Sequence, residues 1–205
     1  MFLKICGVTR LADARHAVEQ GATAIGFVFW SGSPRYIEPI RAAGIMAALP
    51  VHVTTVGVFV NETVKGIKDV IARTGLRLIQ LHGDETPSHA AALERPVIRA
   101  VTLERIDEAA RVWPVDTLWL LDSSDPARGG GTRAPIDWTR AADAARQRRV
   151  ILAGGLTPEN VAEAIGVVRP YGVDVSSGVE DAPGVKNPEK VTRFVSNARR
   201  AFDTR

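Results

Sequence analysis

The sequence has one cysteine, Cys6, in 205 residues. A lone thiol cannot close an internal disulfide, and it argues against a metal site built from cysteines. Aromatic residues are sparse at 6%, and 26 Lys and Arg stand against 23 Asp and Glu, a formal charge of only +3. A nucleic-acid surface normally carries a basic stripe with interleaved aromatics. The nearest basic runs, Arg146-Gln147-Arg148-Arg149 and Arg199-Arg200, fall where helices are expected to end, and cations there complement the helix dipole. No apolar run approaches the roughly 18–20 residues that span a bilayer. The opening Met1-Phe2-Leu3-Lys4-Ile5-Cys6 lacks an h-region and a small-residue cleavage site, so no secretory signal is read. His16, His52, His82 and His89 show no metal-ligand spacing, so no metal is expected. Asn61-Glu62-Thr63 matches a glycosylation acceptor, which is meaningless without secretion; Asn61 is read as a helix N-cap. These absences imply a cytoplasmic protein with no nucleic-acid or membrane partner.

What the chain does have is ordinary globular composition, with 45% hydrophobic and 24% charged residues. Short β-branched runs alternate with amphipathic stretches. Strands are expected over 2–6, 24–29, 53–59, 77–81, 97–101, 117–121, 149–153 and 171–175. Most are nearly continuous apolar runs, as parallel strands covered on both faces require. Helices lie between them, with start signals at Thr9, at Thr157-Pro158-Glu159 and at Asn187-Pro188-Glu189. Strict β/α alternation predicts a parallel sheet, either doubly wound or closed. The first strand runs into Cys6-Gly7-Val8-Thr9-Arg10 rather than a G-x-G-x-x-G turn, so the dinucleotide-binding version loses its signature. Eight strands favour an α/β fold of one (β/α)8 TIM barrel spanning 1–205, near the lower size limit for that architecture.

A barrel gathers its chemistry at the C-terminal ends of its strands. Those ends read Cys6, Arg35 in the second loop, Asn61, Gln80 and His82, Thr102, Asp122, Gly154-Gly155, and Asp174 with Ser176-Ser177-Gly178. Loops seven and eight carry the most specific signal. The small residues Gly154, Gly155, Ser176, Ser177 and Gly178 let backbone N–H groups approach an anion, and these loops commonly form a barrel phosphate site. Cys6 is either a small buried hydrophobe or a thiolate stabilised at the mouth. Asp122 either caps the turn beginning Ser123-Ser124-Asp125-Pro126 or acts as an acid opposite Cys6 across the mouth. Arg35, in Ser33-Pro34-Arg35-Tyr36, can clamp a carboxylate with its two-donor fork or simply be exposed. His82 is a wall of the substrate site or a hydrogen-bonded structural residue.

Taken in order, Lys4-Ile5-Cys6-Gly7-Val8-Thr9-Arg10, Gly26-Phe27-Val28-Phe29, Ser33-Pro34-Arg35-Tyr36-Ile37, Gln80-Leu81-His82-Gly83-Asp84-Glu85, Leu121-Asp122, Ala153-Gly154-Gly155-Leu156-Thr157-Pro158-Glu159-Asn160-Val161 and Asp174-Val175-Ser176-Ser177-Gly178-Val179-Glu180 resemble the phosphoribosylanthranilate isomerase family. The set runs across nearly the whole chain. The resemblance implies a small barrel without cofactor, acting on a phosphorylated small molecule as a monomer or homodimer in tryptophan biosynthesis. It implies an Amadori rearrangement in which Asp122 protonates the ribose ring oxygen and Cys6 removes the C2′ proton. It further implies that Arg35 meets the anthranilate carboxylate and that loops seven and eight hold the phosphate. One stretch departs from the family pattern. In Gly130-Gly131-Thr132-Arg133-Ala134-Pro135-Ile136-Asp137-Trp138, Arg133 stands where the family has a glycine and Ile136 where it has a phenylalanine.

Two other readings are weighed beside this one. Another phosphate-binding barrel, such as indole-glycerol-phosphate synthase or a ribulose-phosphate epimerase, would use Lys/Glu or metal-binding His/Asp residues at its strand ends. A catalytically silent barrel would bind a phosphorylated metabolite or a partner protein, and would have no need of Cys6 and Asp122.

Overall fold

The computed structural model describes residues 1–123 and 136–204. Eight parallel strands close on themselves in chain order: β1 (Phe2–Ile5), β2 (Ala24–Val28), β3 (Thr54–Phe59), β4 (Leu78–Leu81), β5 (Val97–Val101), β6 (Leu118–Leu121), β7 (Val150–Leu152) and β8 (Gly172–Val175). Closure is made by β1 on β8, where Lys4 pairs with Asp174 and Ile5 with Val175. Eight helices pack outside: α1 (Leu11–Gln20), α2 (Pro39–Ala47), α3 (Val64–Thr74), α4 (Pro87–Ala92), α5 (Ile106–Val112), α6 (Trp138–Gln147), α7 (Val161–Val168) and α8 (Pro188–Asp203). A short antiparallel pair, β9 (Glu180–Ala182) and β10 (Val185–Lys186), follows β8. Among the described residues, no helix is long and apolar enough to cross a membrane.

Alternation along each strand sorts the side chains into two cores. Leu3 and Ile5, with Ile25, Phe27, Trp119 and Leu121, face outward into the large layer shared with the helices. Phe2, Ala24, Val56, Ile98, Leu120 and Ile151 fill the barrel interior, and Cys6, Val28 and Val58 form a separate small cluster. Lys4 lies between Phe2 and Cys6 on the same face of β1, so a charged residue occupies the interior between two apolar layers.

Two expected caps are corrected. Thr9 does not cap α1: its Oγ1 donates to the carbonyl of Gly184 at 2.6 Å, and Arg10 holds the N-cap position without a side-chain bond. Asn61 does not cap α3, because Thr63 does so by accepting from Gly66 N at 3.0 Å. Asn61 instead adopts φ 53 and accepts from the amide of Asp84. The helical pattern of α7 begins at Val161, after the signal Thr157-Pro158-Glu159, as expected. Asn160 turns its side chain back to accept from Thr157 N at 2.8 Å and to donate to Gly155 O at 3.0 Å, and the helix begins at Val161. At α8 the expectation holds, with Asn187 accepting from Lys190 N at 2.9 Å and Pro188 opening the helix. The stretch 124–135, which includes Ser124, Asp125, Gly130, Gly131, Thr132 and Arg133, lies outside the described residues.

Candidate active site

At the C-terminal mouth, Asp122, Ser123, Arg35, Asp174 and the backbone of loops seven and eight line one cleft of about 330 Å³. Each part is positioned by the strand that precedes it. Asp122 follows β6 and anchors its amide on Val101 O at 3.1 Å. Gly154 and Gly155 follow β7 with φ of 75 and 70, a region that L side chains enter only with strain. Ser176, Ser177 and Gly178 follow β8. A side chain at Gly178 would meet the carbonyl of Leu156 at 1.9 Å, so the two loops can touch only because Gly178 has none. Asn160 holds the far end of loop seven through the Gly155 carbonyl and the Thr157 amide. Cys6 is set back from this wall. It is 7% exposed, and its amide donates to Val175 O at 2.8 Å, immediately before the Ser176 loop.

Behind the cleft lies a buried ionic network. Lys4 has no exposure, and its Nζ donates to Asp174 Oδ2 and to Gln80 Oε1, both at 2.9 Å. Burial by itself would lower the Lys4 pKa, but the facing Asp174 and Cys6 outweigh it and hold the ammonium above its ordinary value. Burial pushes the Asp174 carboxyl up, against the opposing pull of Lys4. Burial likewise pushes the Cys6 thiol up, opposed by Lys4 and Lys186. Room for both Lys4 and Cys6 comes from Gly26 on the neighbouring strand, where a Cβ would meet Cys6 Sγ at 2.8 Å and Lys4 Cε at 2.9 Å.

Of the two readings offered for His82, the hydrogen-bonded one matches the geometry. With its oxygen committed to Lys4, Gln80 presents Nε2 to His82 Nδ1 at 3.1 Å. That makes Nδ1 the acceptor and leaves the imidazole proton on Nε2. Nε2 lies 3.7 Å from Asp122 Oδ2, beyond hydrogen-bond reach, and has no hydrogen-bond partner of its own among the described residues. Burial lowers the His82 pKa even though Asp122 pulls it up, so the ring is held neutral. His82 is therefore a hydrogen-bonded residue of the barrel interior that faces the acid; it does not line the main cleft.

Arg35 requires a correction. Its two-donor fork is committed to Glu180, with Nε at 3.0 and 3.1 Å from the two carboxylate oxygens and Nη2 at 2.7 Å from Oε2. Burial of Glu180 works against its ionisation, but Arg35 and Lys186 prevail and lower its pKa. Lys186 reaches Glu180 at 2.7 Å and the Ser176 carbonyl at 3.1 Å. Arg35 still lines the cleft, with Nη1 outside its contact with Glu180. Lys4, Glu180 and Lys186 were not among the expected site residues, and Gln80 was read only as a strand end. Lys4 had a legible signal, since it shares the inward face of an apolar strand with Cys6.

Fold and site together describe a small (β/α)8 barrel whose polar strand ends converge on one mouth. The family model for N-(5′-phosphoribosyl)anthranilate (PRA) isomerase matches residues 3–197, and the chain belongs to that family. It is 47% identical to N-(5′-phosphoribosyl)anthranilate isomerase of Geobacter metallireducens, over 96% of this chain and 98% of the relative. The crystal structure of phosphoribosyl anthranilate isomerase from Thermotoga maritima superposes with a TM-score of 0.89 at 41% identity, covering 97% of this chain and 98% of that one. A crystal structure of a phosphoribosyl anthranilate isomerase in complex with reduced 1-(o-carboxyphenylamino)-1-deoxyribulose 5-phosphate superposes at 0.87 with 40% identity, again over 97% and 98% of the two chains.

Two outcomes follow for the scaffold of the site. Lys4→Met keeps the stem and removes the charge, leaving Asp174 buried without its ion partner; urea unfolding should show a loss of about 3–5 kcal/mol. A loss below about 1 kcal/mol would show that the pair contributes no more than a surface one. Gly178→Ala should cost roughly 1–3 kcal/mol and weaken ligand affinity, because loop eight must move off Leu156. Calorimetric titration and thermal melts of that variant check both effects.

Proposed function

We propose that this isomerase runs its reaction with Asp122 as general acid and Cys6 as general base. The substrate is N-(5′-phosphoribosyl)anthranilate and the product 1-(2-carboxyphenylamino)-1-deoxy-D-ribulose 5-phosphate, a step in tryptophan biosynthesis. Asp122 protonates the ribose ring oxygen, and the ring opens to a Schiff base. Cys6 takes the C2′ proton to give an enolamine, which tautomerises to the ketone. The observation that carries this reading is the single cleft shared by Asp122, Arg35 and loops seven and eight.

The phosphate lies against backbone N–H groups near Gly154, Gly155 and Ser176–Gly178, where small residues permit close approach. From there a sugar chain directed toward β1 reaches Cys6, whose amide is already bonded to the residue preceding Ser176. β8 and β7 separate β1 from β6, so base and acid approach the substrate from different sides. Arg35, held in place by Glu180, meets the anthranilate carboxylate. Since burial raises the Cys6 pKa, the thiolate is the minor form near neutrality, and the adjacent Lys4 ammonium is the group that favours it.

Freshly prepared N-(5′-phosphoribosyl)anthranilate, followed by loss of its anthranilate-type fluorescence, tests the activity directly. Cys6→Ser and Asp122→Asn should each lower kcat by about 10²–10⁴-fold while leaving product-analogue affinity nearly intact. Near-wild-type turnover in either variant would defeat the mechanism. The rate of the wild type should rise with pH through the thiol titration, because the active form of Cys6 is the deprotonated one. That limb should lie on the alkaline side of an ordinary thiol, the sign set by burial. Arg35→Lys keeps the charge but loses the planar fork that grips Glu180, so it should raise KM for the carboxylate-bearing substrate. Unchanged kcat/KM would remove Arg35 from the site.

A further inference from the structure

We infer that Asp174 is a substrate-binding residue, whose Oδ1 accepts a hydrogen bond from a hydroxyl on the sugar chain between the phosphate and the reacting carbon. The inference rests on the reading above, in which the phosphate sits in loops seven and eight.

Three observations converge on this atom. Asp174 is 7% exposed, yet it lines the cleft beside Asp122, Ser176 and Arg35. Its two oxygens are treated differently: Oδ2 accepts from Lys4 Nζ at 2.9 Å, whereas Oδ1 has no hydrogen-bond partner among the described residues. A buried carboxylate oxygen without a donor is costly, and such groups in folded proteins generally have a partner when the site is occupied. The position of the residue supplies the third observation. Asp174 pairs with Lys4 across the β1–β8 seam, two residues after Lys4 comes Cys6, and two residues after Asp174 comes Ser176 of the phosphate loop. A chain running from the phosphate toward the thiol therefore passes Asp174.

The missing partner must be a donor, because a carboxylate only accepts. The donors between the two ends of the substrate are the hydroxyls of the sugar chain. Lys4 fixes the carboxylate from behind, so Oδ1 is oriented before the ligand arrives.

The test compares two ligands by calorimetric titration. One is reduced 1-(o-carboxyphenylamino)-1-deoxyribulose 5-phosphate. The other is 5-(2-carboxyphenylamino)pentyl phosphate, which has the same ends and no hydroxyl. Wild type should prefer the hydroxylated ligand. In Asp174→Asn, Lys4 can only donate and so keeps the amide oxygen, which turns the amide nitrogen toward the cleft and replaces an acceptor by a donor. The variant should bind the hydroxylated ligand about 10- to 100-fold more weakly, with the hydroxyl-free ligand changed by less than about threefold. An equal change for both ligands, or none, would make Asp174 only a counter-ion for Lys4 and overturn the proposal. So would a wild type that binds both ligands equally well, which would leave the phosphate and carboxylate sites intact. A wild type that binds neither would overturn the functional reading and this inference with it. Should the variant fail to fold, a crystal structure of the wild-type complex decides. A ligand hydroxyl within about 3.2 Å of Oδ1 supports the contact, and a gap beyond about 3.5 Å overturns it.

Discussion

The ammonium of Lys4 sits inside the barrel with no exposure to water, and the residues around it are arranged as its partners. A charge in that position is tolerable only with an opposite charge and its hydrogen bonds in place. Asp174 on β8 supplies the charge and Gln80 on β4 supplies a carbonyl oxygen, so the contact joins opposite sides of the barrel interior. Gly26 on β2 leaves the space. The consequences spread to the mouth. Gln80 fixes the tautomer of His82, which faces Asp122, and Lys4 is the cation that acts more strongly than Lys186 on the Cys6 thiol. The two proposed proton-transfer groups thus stand at the ends of one connected set of polar contacts.

A second buried carboxylate does comparable work at the rim. Glu180, just after the loop-eight turn, gathers Arg35 from the β2 loop, Lys186 from β10 and the amide of Gly184. Two cations around one carboxylate leave positive charge next to the small-residue loops, which suits an anionic ligand. The β9–β10 pair is tied down from the other side, since Asp13 on α1 accepts from Lys186 N at 3.0 Å and Thr9 donates to Gly184 O. Loop eight is accordingly held between the barrel and the first helix rather than projecting freely.

Similarity to the isomerases extends over nearly the whole length of the chain, so the body and the mouth of the barrel are shared together. The body is maintained by the apolar layer between strands and helices, where Trp119, Phe27 and Phe194 are fully buried. The mouth instead accepts buried charge and glycines with positive φ, features that cost stability and are tolerated where a ligand must bind.

The strands were legible to within a residue or two because each is a short apolar run bounded by polar or small residues, and eight such runs in alternation admit few topologies. Asp122 and the glycines of loop seven were legible for a related reason: their positions follow directly from where a strand ends. The caps at Thr9 and Asn61 were misread because their side chains were claimed by distant partners, Gly184 and Asp84. The same limit hid the ion pairs. Lys4 and Asp174 are 170 residues apart, and Arg35 and Glu180 are 145 apart. By itself the sequence determined the order of elements and the strand ends, since those follow from local periodicity, and its count of eight strands favoured closure. Which charges meet, which oxygen is left without a donor and which fork is already filled were decided only by the tertiary structure, because barrel closure alone brings β1 against β8.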